Sequence, residues 1–370
     1  MNTNQQHFAS IAFAFLLLPP TSAFAVIDAT QPPYQIRGNT AEDQSAPLQA
    51  ALDQARENGG DRVVLPPGTI YAKGLALPGK VTLSGQGVGA TVLKLPDGAN
   101  TWLLASQGFV RNHSWADMYG GLEDMTLDGN KENNKAGSLL VIKGYRFLAR
   151  NCQFSNSPLH GVLISAESAD GTLNDNGMAE NRITNCIFDN NAGAGVYGKD
   201  ARSRQVADGM IFDNYFNRNG SLGFYQIDLE RSAGFHIVGN QMYAGTLGDL
   251  RASGVGALLV RGNNFDGTCN TPVDGRVRQV VIRGGGWGSC IISANLFHNH
   301  AREGGDWTML DIVTHAEDSI SVTGNVFRSE LIEATPYVVS GQAKDSVIFQ
   351  GNAVQKQNGN SNRPDAGADQ

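Results

Sequence analysis

Lys199, Tyr225, Asp228 and Arg251 are the side chains whose types and spacing could carry a reaction. A lysine crowded by arginines loses basicity and becomes able to take a proton. A tyrosine hydroxyl can handle the same proton, and an arginine can clamp a carboxylate through two parallel hydrogen bonds. Asp228 could orient the lysine or hold a Ca²⁺ bridging to an acidic ligand; no dense calcium loop is present, and no cofactor is otherwise expected. Tyr197, Arg283, Asp249, Asp311 and His160 form a second set, suited to binding a ligand rather than transforming it. Together these groups suit removal of a proton from carbon beside a carboxylate, where cations stabilise the developing charge. Asp228, Asp249 and Asp311 leave hydrolysis by a carboxylate pair open as a second chemistry. A non-catalytic module that only binds a polymer is a third. Phe297-His298-Asn299-His300 sets two histidines at i and i+2 ahead of Glu303 and Asp306, but no metal site is expected there.

Such residues lie tens of positions apart, so the chain must stack distant segments in register. A recurring phrase does this: an Asn followed closely by an apolar residue, usually Phe. It occurs at Asn151, Asn185, Asn214, Asn240, Asn263, Asn295, Asn325 and Asn352, with spacings of 23 to 34 residues, and the distance to the aromatic varies by one. Coils of three short strands tolerate that scatter, because insertions fall in loops outside the stack. The expected fold is all-β, a parallel β-helix of about ten turns, each climbing one strand spacing of about 4.8 Å. The Asn residues should then form a ladder at one corner, with the Phe residues stacked inside.

The strand after each turn is expected over 161–165, 195–199, 223–229, 249–252, 278–283, 308–313 and 336–340. Alternation puts Val162, Val196, Phe224, Leu250, Ile282 and Ile312 inward. Tyr197, Lys199, Tyr225, Asp228, Asp249, Arg251, Arg283 and Asp311 then face out, with a bulge inferred at Gln226-Ile227. Lys143, Lys199, Arg251 and Arg283 would form a cationic column, which favours an anionic partner.

The 370 residues carry a net charge of −7, which argues against a broad nucleic-acid surface. A hydrophobic share of 41 % excludes a wholly disordered chain. Residues 1–25 read as a signal peptide, an apolar run ending in Ala23-Phe24-Ala25, so a periplasmic or secreted location is expected. No later segment is long and apolar enough to span a membrane. Residues 26–354 are expected to form one domain, with a capping helix near 45–58 that takes Ser45 as its N-cap and stops at Gly59-Gly60, and 355–370 a disordered tail. Cys152 and Cys186 should lie on adjacent coils, as a disulfide or a reduced pair; Cys269 and Cys290 could tie a loop to a strand. Nothing in the pattern specifies an oligomeric state.

Val63-Val64-Leu65-Pro66-Pro67-Gly68-Thr69, Leu83-Ser84-Gly85-Gln86-Gly87 and Ala90-Thr91-Val92-Leu93-Lys94 resemble right-handed parallel β-helix proteins of the pectate-lyase superfamily. Gly121-Leu122-Glu123-Asp124-Met125-Thr126-Leu127-Asp128-Gly129-Asn130 is similar to a segment of mannuronan C5-epimerase catalytic modules. The resemblance implies a right-handed coil, a groove floored by the strand after each turn, and action on an acidic, uronate-containing polysaccharide at C5, as lyase or epimerase. The epimerases' Tyr-Gly-x-Asp-Pro-His phrase falls at His160-Gly161-Val162-Leu163-Ile164-Ser165, so Leu163 and Ser165 stand where that family has its Asp and His.

Overall fold

Regular left-handed corners, rather than strand propensity alone, set the architecture. The computed structural model describes residues 26–112, 118–173, 178–199, 206–267, 276–285, 288–300, 306–330 and 334–356. The expected leader, Cys269 and the tail beyond Lys356 lie outside the described residues. Asp124, Asn151, Asn185 and Asp213 occupy successive corners at φ of 57°, 52°, 52° and 55°, and Gly239 and Gly262 continue the series at 70° and 65°. Only Gly, Asn and Asp enter that region at low cost, which is why these types recur there.

The next residue in each coil points inward and carries the ladder. The Nδ2 of Asn214, Asn240 and Asn263 each donates to the following Asn Oδ1 at 3.0 Å, and Asn295 and Asn325 continue to Asn352 at 2.9 Å. Asn151 and Asn185 are not in this line. They occupy the left-handed corner itself and bond each other at 2.7 Å on the outside. The inward place in the Asn185 coil belongs to Cys186, whose N–H donates to Asn214 Oδ1. The ladder therefore starts later than the repeat suggested, and the one-residue variation in Asn-to-Phe distance marks the change of phase.

Inside, Phe154, Phe188 and Phe216 stack at 5.0 and 4.6 Å, and Phe265, Phe297 and Phe327 at 5.0 and 4.6 Å, with Met242 between the two runs. Each ring is fully buried, worth about 1.5–3 kcal/mol of transfer free energy.

The chain forms a right-handed parallel β-helix. One face is a ten-stranded parallel sheet from Leu75–Leu77 to Thr335–Gly341, one strand per coil, matching the expected ten turns. The other faces merge into a 21-stranded sheet through strands that continue around the corner, Gly121–Asp128 and Leu148–Ser155. Helix Ser45–Glu57 buries Leu48, Ala51, Leu52 and Ala55 and packs on Arg62–Val64 and Leu75–Leu77. Gln44, not Ser45, stands at its N-cap, while the Ser45 hydroxyl accepts from the Lys73 N–H at 2.8 Å. Gly59 and Gly60, at φ of 99° and 112°, follow its end. Cys152, Cys186 and Cys290 are buried free thiols. The chain stays ordered as strand Ala353–Lys356, two residues into the expected tail. Among the described residues, no helix is long and apolar enough to cross a membrane.

Candidate functional site: an arginine-lined cleft

Side-chain rows on the ten-stranded sheet decide what can meet. Val162–Ser165, Val196–Lys199, Ile227–Glu230, Leu250–Val255, Arg276–Gly284 and Asp306–Thr314 lie in order, close to the expected positions. Pairing aligns Leu163, Tyr197, Asp228, Arg251, Val281 and Asp311 in one outward row. Tyr197, Asp228, Arg251 and Asp311 therefore share the face the sequence assigned them.

Arg251 is the centre of this row. Its Nε and Nη2 bind Asp228 Oδ1 and Oδ2 at 2.8 and 2.5 Å, and its guanidinium lies 5.4 Å from the Tyr225 ring centre. Asp228 has no exposed surface; burial raises its carboxyl against the opposing effect of Arg251. Tyr225 also donates its backbone N–H to Asp228 Oδ2 at 3.4 Å. Beside this cluster opens a cleft of about 760 Å³ lined by Tyr225, Arg251, Arg276, Arg278, Arg283 and Asp311, with Gly223, Leu247 and Val281. Arg278 approaches Asp311 at 3.3 Å and Asp306 at 3.4 Å, and Arg276 approaches Asp306 at 3.2 Å. Arg283 is exposed, and among the described residues it has no ion pair.

Several expectations fail, each for a geometric reason. Phe224 is not an inward strand residue: Ile227 pairs with Val196, so Phe224, Tyr225 and Gln226 belong to the preceding turn and no bulge is needed. Tyr225 is consequently almost buried, and burial pushes its hydroxyl up to about 12. A residue at Gly248 with a Cβ would meet that ring at 2.4 Å, so glycine makes the space. Tyr197 is also nearly buried, its hydroxyl raised by burial and by hydrogen bonding to Glu230. His160, 2 % exposed, packs 4.5 Å from Tyr197 and accepts the Ala194 N–H through Nδ1 at 3.0 Å. Burial, with Lys199 nearby, pushes its imidazole down to about 3. It presents no surface to a polymer.

The cationic column is not continuous. Lys143 is buried, bonded to Asn112 Oδ1 at 3.2 Å and to Ser168, and burial holds its ammonium below the usual lysine range. Lys199 aligns with Ser165 in a different row from Arg251, and its Nζ pairs with Glu167 at 2.8 Å instead of being crowded by arginines. Asp249 points inward and is fully buried, held by Gln226 Nε2 at 3.0 Å and Gln279 Nε2 at 3.1 Å. Burial pushes its carboxyl up to about 7. It precedes strand Leu250–Val255, where alternation does not yet apply. The spacings of Gln226, Asp249 and Gln279, one coil each, carried the signal for this buried column.

Sequence reasoning missed Arg276 and Arg278. Pairing skips Gln279 between Arg278↔Thr308 and Val280↔Leu310, so Gln279 turns in and Arg278 turns out. Ser165 Oγ is committed to the Glu167 carbonyl at 3.1 Å, and Leu163 cannot take a proton, so no acid–base pair stands at those two positions.

A second cleft of about 550 Å³ lies on the 21-stranded sheet around Arg62, Arg146, Arg150 and Arg182. Its carboxylates are already occupied: Glu123 by Arg62 and Arg150, Glu180 by Arg146 and Tyr145. In the first cleft Asp311 meets a single arginine, Arg278, and Arg283 has no ion pair among the described residues.

No family model matches the chain. Mannuronan C5-epimerase AlgE3 of Azotobacter vinelandii is 28 % identical over 217 residues, 50 % of this chain and 11 % of that protein. The chain thus spans a small part of that relative's length. In structure, the tailspike protein of E. coli bacteriophage HK620, solved with a pentasaccharide, has a TM-score of 0.61 at 15 % identity, covering 91 % of this chain and 64 % of that one. The A-module of Azotobacter vinelandii mannuronan C5-epimerase AlgE4 has a TM-score of 0.52 at 16 % identity, covering 89 % and 97 %. These neighbours share the β-helix fold, and the sequence relatives act on polysaccharide.

Proposed function

We propose that this chain acts on an acidic, uronate-containing polysaccharide held along the ten-stranded sheet, by proton abstraction at C5. The observation that carries the reading is the convergence of Arg251, Arg278 and Arg283 with Tyr225 and Asp311 in one open cleft. Arg283 and the outer edges of Arg251 and Arg278 bind sugar carboxylates, lowering the barrier to loss of the adjacent proton. Asp311, 16 % exposed in its side chain, is the proton acceptor, taking the role first assigned to Lys199. Tyr225 keeps its proton at neutral pH, so it is not the base; it lies on the coil of Asp228, three strand spacings from Asp311, and packs on the Arg251 guanidinium. Elimination follows: Asp311 takes the C5 proton, the C5–H and C4–O bonds break, a C4=C5 double bond forms, and the leaving oxygen takes a proton from solvent. The epimerase route by the relatives' own motif is not supported, because Leu163 and Ser165 replace its Asp and His. The apolar leader suits secretion or a periplasmic setting, where such polymers are met.

A hydrolytic reading rests on a different pair from the one first considered. Asp228 and Asp311 are three strand spacings apart, about 14 Å, too far for a carboxylate pair. Asp306 and Asp311, by contrast, both contact Arg278. Incubation with alginate, pectate and other acidic glycans separates the readings. Elimination yields unsaturated uronate ends, seen by far-ultraviolet absorbance and an 18-dalton deficit relative to hydrolysis products. Saturated fragments support the hydrolase; binding without product supports a binding module.

A further inference from the structure

The two histidines of Phe297–His300 meet a carboxylate that their own loop does not supply. Strands Asn264–Gly267, Leu296–Asn299 and Val326–Ser329 lie on successive coils, and Asp266, His298 and Arg328 are directly paired across them. His300 and Glu330 follow the ends of two of these strands. The His298 and His300 ring centres are only 3.5 Å apart. Asp266 Oδ1 lies 3.1 Å from His300 Nε2, and donor atoms of Asp266, His298 and His300 all fall within 4.8 Å of one another. Among the described residues, this is the one place where three such donors converge.

Two further facts make this more than an ion-pair cluster. Asp266 Oδ1 and His298 Nε2 are buried, yet neither is in a well-formed hydrogen bond. Their ion-pair neighbours are His300 Nε2 at 3.1 Å and Glu330 Oε1 at 3.8 Å; buried polar atoms short of a well-formed hydrogen bond cost about 1–3 kcal/mol each, which a shared ligand would recover. Glu330 Oε1 lies 3.2 Å from His300 Nδ1. In the tautomer that donates Nδ1–H to Glu330, His300 turns the lone pair of Nε2 toward Asp266 and His298. That carboxylate–histidine arrangement fixes and strengthens a metal-binding imidazole.

We propose that Asp266, His298 and His300 bind a divalent first-row transition ion of the zinc type, with Glu330 as the positioning residue behind His300. Two imidazoles and one carboxylate match the nitrogen and oxygen preferences of such ions and leave a fourth coordination position open. Asp266 and Glu330 together outweigh the charge of Arg328, next in the row. No metal is expected from sequence, because Glu303 and Asp306, the carboxylates near the histidines in the chain, read as part of a Gly-rich loop; the carboxylates that assemble come from neighbouring coils.

The test uses the full chain without an affinity tag, stripped with chelator, and titrated with Zn²⁺ by calorimetry and with Co²⁺ by visible absorption. Expected are about one Zn²⁺ per chain and Co²⁺ bands of the intensity given by low-coordinate N/O sites. His298→Ala and His300→Ala should each weaken Zn²⁺ binding at least a hundredfold, and Glu330→Gln by about ten- to a hundredfold. His236→Ala, on an exposed strand position, should leave both signals unchanged. Asp266→Asn, which preserves side-chain shape, carries the test if an alanine variant fails to fold. Absence of stoichiometric Zn²⁺ binding to the unmodified chain, or retention of the Co²⁺ bands in Asp266→Asn and His298→Ala, would overturn the site.

Discussion

At the scale of single residues, exposure separates the chemistry that a side chain could do from the chemistry it is placed to do. Asp311→Asn should reduce turnover on an acidic glycan by about 10²- to 10⁴-fold with little change in stability, since it removes the proton acceptor and one peripheral contact. Arg283→Ala should weaken binding by about ten- to a hundredfold, the value of a charged hydrogen bond, measured by calorimetry with the same glycan. Arg251→Ala is a poorer probe, because it strands the buried Asp228 carboxylate and should destabilise the fold by about 3–5 kcal/mol. Asp249 offers a pH test. Its carboxyl is raised from the ordinary range near 4 to about 7, so the folded state binds more protons than the unfolded state between those values. Its contribution to stability is therefore present at low pH and falls as pH rises from about 4 to 7. Asp249→Asn lacks that dependence and should gain stability relative to the parent as pH increases, read from urea unfolding at pH 5 and pH 8. Arg251, Arg283, Asp228 and Asp311 were legible in the sequence because alternation holds in the parts of their strands that carry them, over 227–230, 250–253, 280–283 and 310–313. Asp249 and Tyr225 were misplaced because they stand just ahead of their strands, where backbone direction is set by the turn, and Arg278 was missed because the pairing skips Gln279 beside it.

At the scale of elements, the corner carries two lines of polar residues, one inside the coil and one outside. Asn240 illustrates the inner line: Nδ2 donates to the Ile211 carbonyl at 2.8 Å and to Asn263, while Oδ1 accepts from the Asn214 backbone and side chain at 3.0 Å. Asn240→Ala leaves buried partners unsatisfied, and each should cost about 1–3 kcal/mol. Asn185 occupies the outer, left-handed position that Gly239 and Gly262 hold in later coils. Asn185→Gly should therefore be tolerated to within about 1 kcal/mol. Chemical denaturation of the two variants separates the lines; equal losses would contradict the phase change at Cys186. The repeat was readable because coil length varies only in loops, but its phase was not, since Asn serves both as an inward amide and as a left-handed corner.

At the scale of the whole molecule, stacked coils turn residues 23 to 33 positions apart into neighbours, so one surface can differ in charge from the rest of an acidic chain. Arginines from two successive strands, Arg251 and Arg278, line the same cleft although their nearest carboxylates come from the coils on either side. This architecture was visible in the recurrence of Asn and Phe, whereas the groove's paired charges depend on side-chain reach across coils, which spacing alone does not specify. An electrostatic groove should lose affinity as ionic strength rises, because exposed charges are screened beyond about 10 Å at 0.1 M salt. The most direct measurement is therefore equilibrium binding of a polyuronate and of a neutral glycan of similar length, at low and at physiological salt, to the parent chain and to Arg283→Ala. Selective binding of the polyuronate, weakened by salt and by the substitution, is the expected result; equal binding of the neutral glycan, insensitive to both, would contradict the placement of an acidic polymer in this cleft.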